Sequence, residues 1–164
     1  MQLQEVFEST VVLPQFVSQQ DDDPPSQDPS RQPALPVSPD ALTILVVDDD
    51  LANLALAEAL LQAEGFQVRV AIDAKSMFKV LKDVKPALIL MDIQLPEVDG
   101  WELTRKLKAD PATSGIPVIA ITAYGKPGDG NKAKRAGFVE FLSKPVSTRD
   151  LPAIVRRHLA SPGR

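Results

Sequence analysis

The sequence predicts an α/β fold of the doubly wound kind, a (βα)5 chain with a five-stranded parallel sheet covered by helices on both faces. Two observations predict it. From Leu42 onward, short β-rich runs alternate regularly with segments whose apolar residues fall at helix spacing. The runs themselves are nearly continuously apolar, as strands buried on both faces must be.

The elements follow in order. Leu42–Val47 ("LTILVV") reads as the first strand, and Gly65 ends the helix after it, because glycine adopts the left-handed conformation that closes a helix. Phe66–Ile72 is the second strand. Met77, Val80 and Leu81 then form an apolar stripe opposite Lys75, Lys79 and Lys82, which marks an amphipathic second helix. Ala87–Met91 is the third strand, and Leu103 and Leu107 carry the third helix. Ile116–Ala123 is the fourth strand, Gly137 closes the fourth helix, and Phe138–Leu142 is the fifth strand. Leu151, Ile154, Val155 and Leu159 place one apolar face on the last helix, for which Ser147 or Thr148 is the expected cap.

Composition bounds what this fold can do. With 164 residues and 44% apolar side chains, the chain can build one core, and the domain is expected over residues 41–164. Residues 1–40 read as a disordered tail: they hold seven of the 15 prolines, and the stretch "SQQDDDPPSQDPSRQPALPVSPD" has almost no apolar residues to offset ordering entropy. Within that tail Leu3, Val6 and Phe7 have the spacing of a short helix. Glu5, Glu8, Asp21, Asp22, Asp23, Asp28 and Asp40 against Arg31 give the tail a net −6, so the remainder is +2 within the total of −4. Neither part is basic enough for electrostatic nucleic-acid binding. No cysteine occurs and His158 is the only histidine, which excludes disulfides, thiolate metal sites and imidazole clusters. The start lacks the basic segment of a signal peptide, and no apolar run approaches a membrane span, so a cytoplasmic protein is expected.

Ligands of such sheets bind at the carboxyl ends of the strands. Those positions hold Asp48, Asp49 and Asp50 after the first strand, Asp92 after the third, Thr122 and Ala123 at the end of the fourth, and Lys144 after the fifth. Like charges crowded at the end of an apolar strand resist desolvation, so a cation is expected among them. Carboxylates without histidine or cysteine make a hard-oxygen site suited to Mg²⁺, with Mn²⁺ as an alternative. The same groups have the parts for phosphoryl transfer. Asp92 is placed to attack, the metal to neutralise charge, Lys144 to hold a phosphoryl oxygen, and Thr122 to donate a hydrogen bond.

The motifs "ILVVDDD", "ILMDIQLPEVDGWEL", "VIAITAY" and "FLSKPV" resemble the response-regulator receiver domains of two-component signalling (CheY-like) over about residues 42–160. The resemblance implies the flavodoxin-like receiver fold, with Asp92 as phosphoacceptor. It further implies Asp48 and Asp49 as the acidic pair, Asp49 being the more direct Mg²⁺ ligand, and the Gln94 backbone carbonyl as a further ligand. Thr122 and Ala123 would lie beside the phosphoryl group, Lys144 would bind it, and the Lys144–Pro145 peptide would be cis. Phe141, three residues before Lys144, stands where the family has an aromatic switch residue responding with Thr122; a phenyl ring has no hydroxyl to offer a partner. Gln94 and Tyr124 stand where receivers tune water access, and Gly125, Gly128 and Gly130 around Pro127 read as a loop able to rearrange.

Other readings stay open beside these. Asp50 either joins the carboxylates or caps the first helix. Asp99–Gly100 reads as turn and helix-start chemistry, Trp101 as packing, and His158 as a structural residue near a helix C-terminus. Only 20 residues follow Lys144, so a stand-alone receiver is expected. It would not be an enzyme, though it would assist its own phosphorylation and dephosphorylation. It would take a phosphoryl group from a histidine kinase or phosphotransfer protein and then dock on a downstream protein or form a homodimer. The expected docking face joins the fourth helix, fifth strand and last helix, with Lys132, Lys134, Arg135, Arg149, Arg156 and Arg157. A haloacid-dehalogenase-like phosphatase using Asp48 and Asp50 is the enzyme alternative. It wants Thr or Val where Ala52 stands, and a further acidic pair where only Asp150 follows Lys144. A phosphorylation-independent binding module is the third class.

Overall fold

The computed structural model describes residues 41–123 and 129–160. The expected tail, its short helix at Leu3, Val6 and Phe7, and the loop positions Tyr124, Gly125, Pro127 and Gly128 lie outside the described residues. Five strands alternate with five helices: β1 (Thr43–Val47), α1 (Leu51–Ala63), β2 (Gln67–Ala71), α2 (Ala74–Asp83), β3 (Leu88–Asp92), α3 (Gly100–Ala109), β4 (Val118–Thr122), α4 (Asp129–Ala136), β5 (Glu140–Ser143) and α5 (Asp150–Ala160). The strands form one sheet in the order β2-β1-β3-β4-β5, with every pairing parallel. The predicted (βα)5 architecture is the observed one.

Strand alternation divides the core in two. Ile44, Val46, Leu88, Leu90, Ile119 and Ile121 point to the face covered by α1 (Leu54, Ala57, Leu61) and α5 (Leu151, Val155). Leu45, Val47, Ile89, Met91, Val118 and Ala120 point to the other face, covered by α2 (Met77), α3 (Trp101, Leu103, Leu107) and α4 (Ala133, Ala136). β3 lies in the middle of the sheet, and its five residues are all buried. Burial of a side chain such as Leu61, at 0% exposure, contributes about 1.5–3 kcal/mol. Leu61→Ala would cost about 2–5 kcal/mol.

The helix ends obey local chemistry. Gly65 (φ 87°) closes α1: its own N–H reaches the Gln62 carbonyl while that of Phe66 reaches the Leu61 carbonyl. Gly137 (φ 98°) closes α4 in the same way through the carbonyls of Lys134 and Ala133. Asp73 and Ser76 form a reciprocal capping box at the start of α2.

Strand ends differ from the sequence expectation by one or two residues, each for a visible reason. The Ile72 N–H goes to the Ser76 hydroxyl, so Ile72 belongs to the α2 cap rather than to β2. Ile116 donates to Thr113 in a turn and Pro117 has no N–H, so β4 begins at Val118. The Phe138 N–H is taken by the end of α4, and β5 therefore starts at Glu140. α5 begins at Asp150, and the Ser147 carbonyl receives the N–H groups of Asp150 and Leu151, as the carbonyl of a residue at a helix start does.

Candidate functional site

The carboxyl ends of β1, β3, β4 and β5 meet along one edge of the sheet. Asp48 directly follows β1, Asp92 ends β3, Thr122 ends β4 and Lys144 directly follows β5. Parallel register fixes this convergence: Asp92 lies opposite Ile121, and Thr122 lies opposite Ser143. The Lys144 N–H continues the ladder to the Thr122 carbonyl at 2.7 Å. Asp48, Asp92 and Thr122 are buried, at 5%, 4% and 2% exposure, whereas Asp49 is exposed.

Lys144 holds the site together. Its Nζ lies 2.6 Å from Asp48 Oδ2 and 2.5 Å from Asp92 Oδ2, bridging residues that are 96 and 52 positions away. Burial alone would lower the Lys144 pKa, but the hydrogen bonds to both carboxylates outweigh it and the net shift is upward. The other Asp92 oxygen, Oδ1, accepts the Gln94 N–H at 2.9 Å. The Lys144–Pro145 peptide is cis.

Asp48, Asp49 and Asp92 each offer a carboxylate oxygen, and the three oxygens lie within 4.8 Å of one another. One lysine against three carboxylates leaves an excess of negative charge, and the donor set is all oxygen. These residues fit a Mg²⁺ ion.

Asp50 does not join them. It caps α1, accepting the Ala52 N–H at 2.8 Å. Asp99 caps α3 through the Trp101 N–H at 2.9 Å, as its turn chemistry suggested. Ala123 lies one residue beyond β4 and is exposed.

Phe141 is half-buried and stacks on Trp101, which meets Phe138 edge-on at 5.5 Å and carries Lys132 Nζ 4.5 Å above its ring. His158 contacts Glu140, which also pairs with Arg157. The expected basic face is thus partly engaged. Lys132 lies on Trp101 and Arg157 on Glu140, while Arg156 pairs with Glu64 at the end of α1 and so faces away from β5. Lys134, Arg135 and Arg149 are exposed.

One residue of the site went unread in the sequence, and a second, Gly100, read only as the helix start that it also is. Asn53 donates to both Asp48 oxygens at 3.2 Å, and its signal was an amide in the otherwise apolar start "LANLAL" of α1. Gly100 abuts Asp92: a Cβ there would lie 2.5 Å from the Asp92 carbonyl oxygen and 2.8 Å from Ile93 Cα. Only glycine lets α3 start this close to the end of β3.

The response regulator receiver domain family matches residues 44–156, most of the described domain. The chain belongs to this family. Receivers among its relatives include the response regulator PleD of Caulobacter vibrioides, 42% identical over 113 residues that make up 69% of this chain and 25% of PleD. The chain thus spans about a quarter of PleD, and resembles it over that part alone. The polar-differentiation response regulator DivK of Brucella anthropi is 34% identical over 117 residues, 71% of this chain and 95% of DivK. Among solved receivers, that of the sensor histidine kinase PA1611 from Pseudomonas aeruginosa PAO1 superposes with a TM-score of 0.67 at 31% identity, covering 74% of this chain and 99% of that one. It was solved with a magnesium ion coordinated in its active-site cleft. As a class, receivers are signalling modules that bind Mg²⁺ at an acidic cluster and interact with histidine kinases and phosphotransfer proteins. Among the described residues, no helix is long and apolar enough to cross a membrane.

Proposed function

We propose that Asp92 accepts a phosphoryl group from a histidine kinase or phosphotransfer protein, and that the modified domain acts by docking on another protein. The observation that carries this reading is the Lys144 ammonium shared between Asp48 and Asp92 at the strand ends. It places a cation beside a buried carboxylate whose second oxygen is held by the Gln94 N–H. An ionised carboxylate is already nucleophilic, so no general base is needed. In the transfer, an Asp92 oxygen forms a bond to phosphorus as the bond from phosphorus to the donor's leaving atom breaks.

Asp49, Asp92 and the Gln94 carbonyl would hold Mg²⁺ or Mn²⁺ directly, with Asp48 adding its negative charge from beside them; when bound, the ion supplies positive charge against the phosphoryl oxygens. Lys144 holds one such oxygen as a point charge. The Thr122 hydroxyl and the Ala123 N–H donate to the others. Phe141, sharing the β4–β5 ladder with Thr122, carries the change toward α4 and α5. The phosphatase alternative loses support, since Asp50 is a helix cap.

The test is incubation of the full chain with Mg²⁺ and acetyl phosphate, read by intact mass. The expected result is one added phosphoryl group, lost in Asp92→Asn. Incorporation that persists in that variant and maps to Asp48 would refute the assignment.

A further inference from the structure

Asp48 is the most fully bonded carboxylate of the strand-end cluster. Its Oδ1 accepts the Asp50 N–H at 2.9 Å and the Asn53 amide at 3.2 Å; its Oδ2 accepts Lys144 at 2.6 Å and the same Asn53 amide at 3.2 Å. A carboxylate has about four acceptor positions, and all of Asp48's are engaged. Asp92 accepts one donor at each oxygen. Asp49 is exposed and accepts no hydrogen bond among the described residues. A cation entering the cluster therefore finds open positions on Asp49 and Asp92 but none on Asp48.

We propose that Asn53 is a positioning residue of the cation site: by donating to both Asp48 oxygens it keeps that carboxylate turned to Lys144, out of direct contact with the cation, and so weakens cation binding. The inference rests on reading Asp48, Asp49 and Asp92 as a Mg²⁺ site. Asn53 and the cation relieve the same charge, so each lowers what the other can contribute. The two Asn53 contacts are long and come from a neutral donor, which makes them weaker than the Lys144 bond. Asn53 thus limits affinity without abolishing binding. Its placement is firm, because it lies in the first turn of α1, whose start is fixed by the Asp50 cap.

The experiment titrates the full chain with MgCl₂ alone by calorimetry, and measures urea unfolding with and without saturating Mg²⁺. In Asn53→Ala, affinity rises on the order of three- to tenfold, the size expected when one neutral hydrogen bond no longer competes for the same charge. Stability falls without metal, and the deficit narrows in Mg²⁺. Asn53→Asp shows both effects more strongly, since it exchanges a donor for a charge. The first helical turn accepts either side chain, so both variants fold, which circular dichroism verifies. Unchanged affinity, with the same stability loss in both conditions, would reduce Asn53 to a structural residue. Weakened affinity would show that it orients Asp48 as a direct ligand. Either overturns the inference. Absence of Mg²⁺ binding by the unaltered protein would instead refute the cation site itself.

Discussion

Trp101 stacks on Phe141, with ring centroids 6.4 Å apart and planes inclined by 23°. Trp101 follows Gly100, whose N–H bonds the Ile93 carbonyl and whose Cα lies against the Asp92 backbone. The indole therefore joins the end of β3 to Phe141 of β5, three residues before Lys144. Such a ring pair is worth about 0.5–1.5 kcal/mol beyond its buried area. A double-mutant cycle of Trp101→Leu and Phe141→Leu should return a coupling of about 1 kcal/mol in urea unfolding, and a smaller one with beryllofluoride bound as phosphoryl mimic. Zero coupling in both states would show that the two rings act independently.

Lys144 is the nearest cation to two carboxylates that are at most 5% exposed. Lys144→Met keeps the apolar stem and leaves the two charges facing each other. Breaking a buried pair costs about 3–5 kcal/mol; Lys144 itself is half-buried, so a loss of about 2–4 kcal/mol is expected at neutral pH without metal. Saturating Mg²⁺ should restore more stability to this variant than it adds to the unaltered protein. Equal metal effects in urea unfolding of the two proteins would contradict the shared-charge account.

The strand-end residues were legible because topology forces them together. A parallel sheet with nearly continuous apolar strands can only gather its polar residues at the strand ends, so Asp48, Asp92, Thr122 and Lys144 could be found before any coordinate was known. Asp50 could not be resolved in that way. An aspartate between a strand and a helix fits a cap and a ligand set equally, and only the 2.8 Å bond from the Ala52 N–H decides. Gly100 read as ordinary turn chemistry because a close approach of two backbones leaves no periodic signature. The engagement of Arg156 with Glu64 was hidden for another reason: helical spacing gives the face of α5 but not its neighbour across the sheet surface.

Acid should weaken the tie between β5 and α5. Burial alone would raise the Glu140 pKa, but hydrogen bonds from Arg157 and His158 outweigh it and hold the carboxyl below its ordinary 4.5. A depressed carboxyl contributes stability that is fully present above the unfolded value and lost as pH falls through the folded one. Glu140→Gln should therefore be less stable than the unaltered protein at pH 7, and the gap should close as pH drops well below 4.5. A gap independent of pH in urea unfolding would mean that packing, not charge, accounts for the role of Glu140.

Phosphorylation should be felt mainly on the β4–β5 side of the sheet. Thr122 and Lys144 are joined by a 2.7 Å backbone bond, Phe141 precedes Lys144 by three residues, and Trp101 connects Phe141 to Lys132 of α4. β2 lies beyond β1 at the opposite edge and touches the cluster through a backbone bond, the Asp48 N–H to the Ala71 carbonyl at 3.1 Å, which moves no side chain. Amide hydrogen exchange with and without beryllofluoride should then show protection changes in residues 129–160 and at the start of α3, while residues 66–83 stay unchanged. The exposed charges Lys134, Arg135 and Arg149 lie in the responsive region and suit an acidic partner or a second copy. Changes concentrated in α1 instead would refute the α4–β5–α5 surface as the docking face and leave the assignment of Asp92 intact.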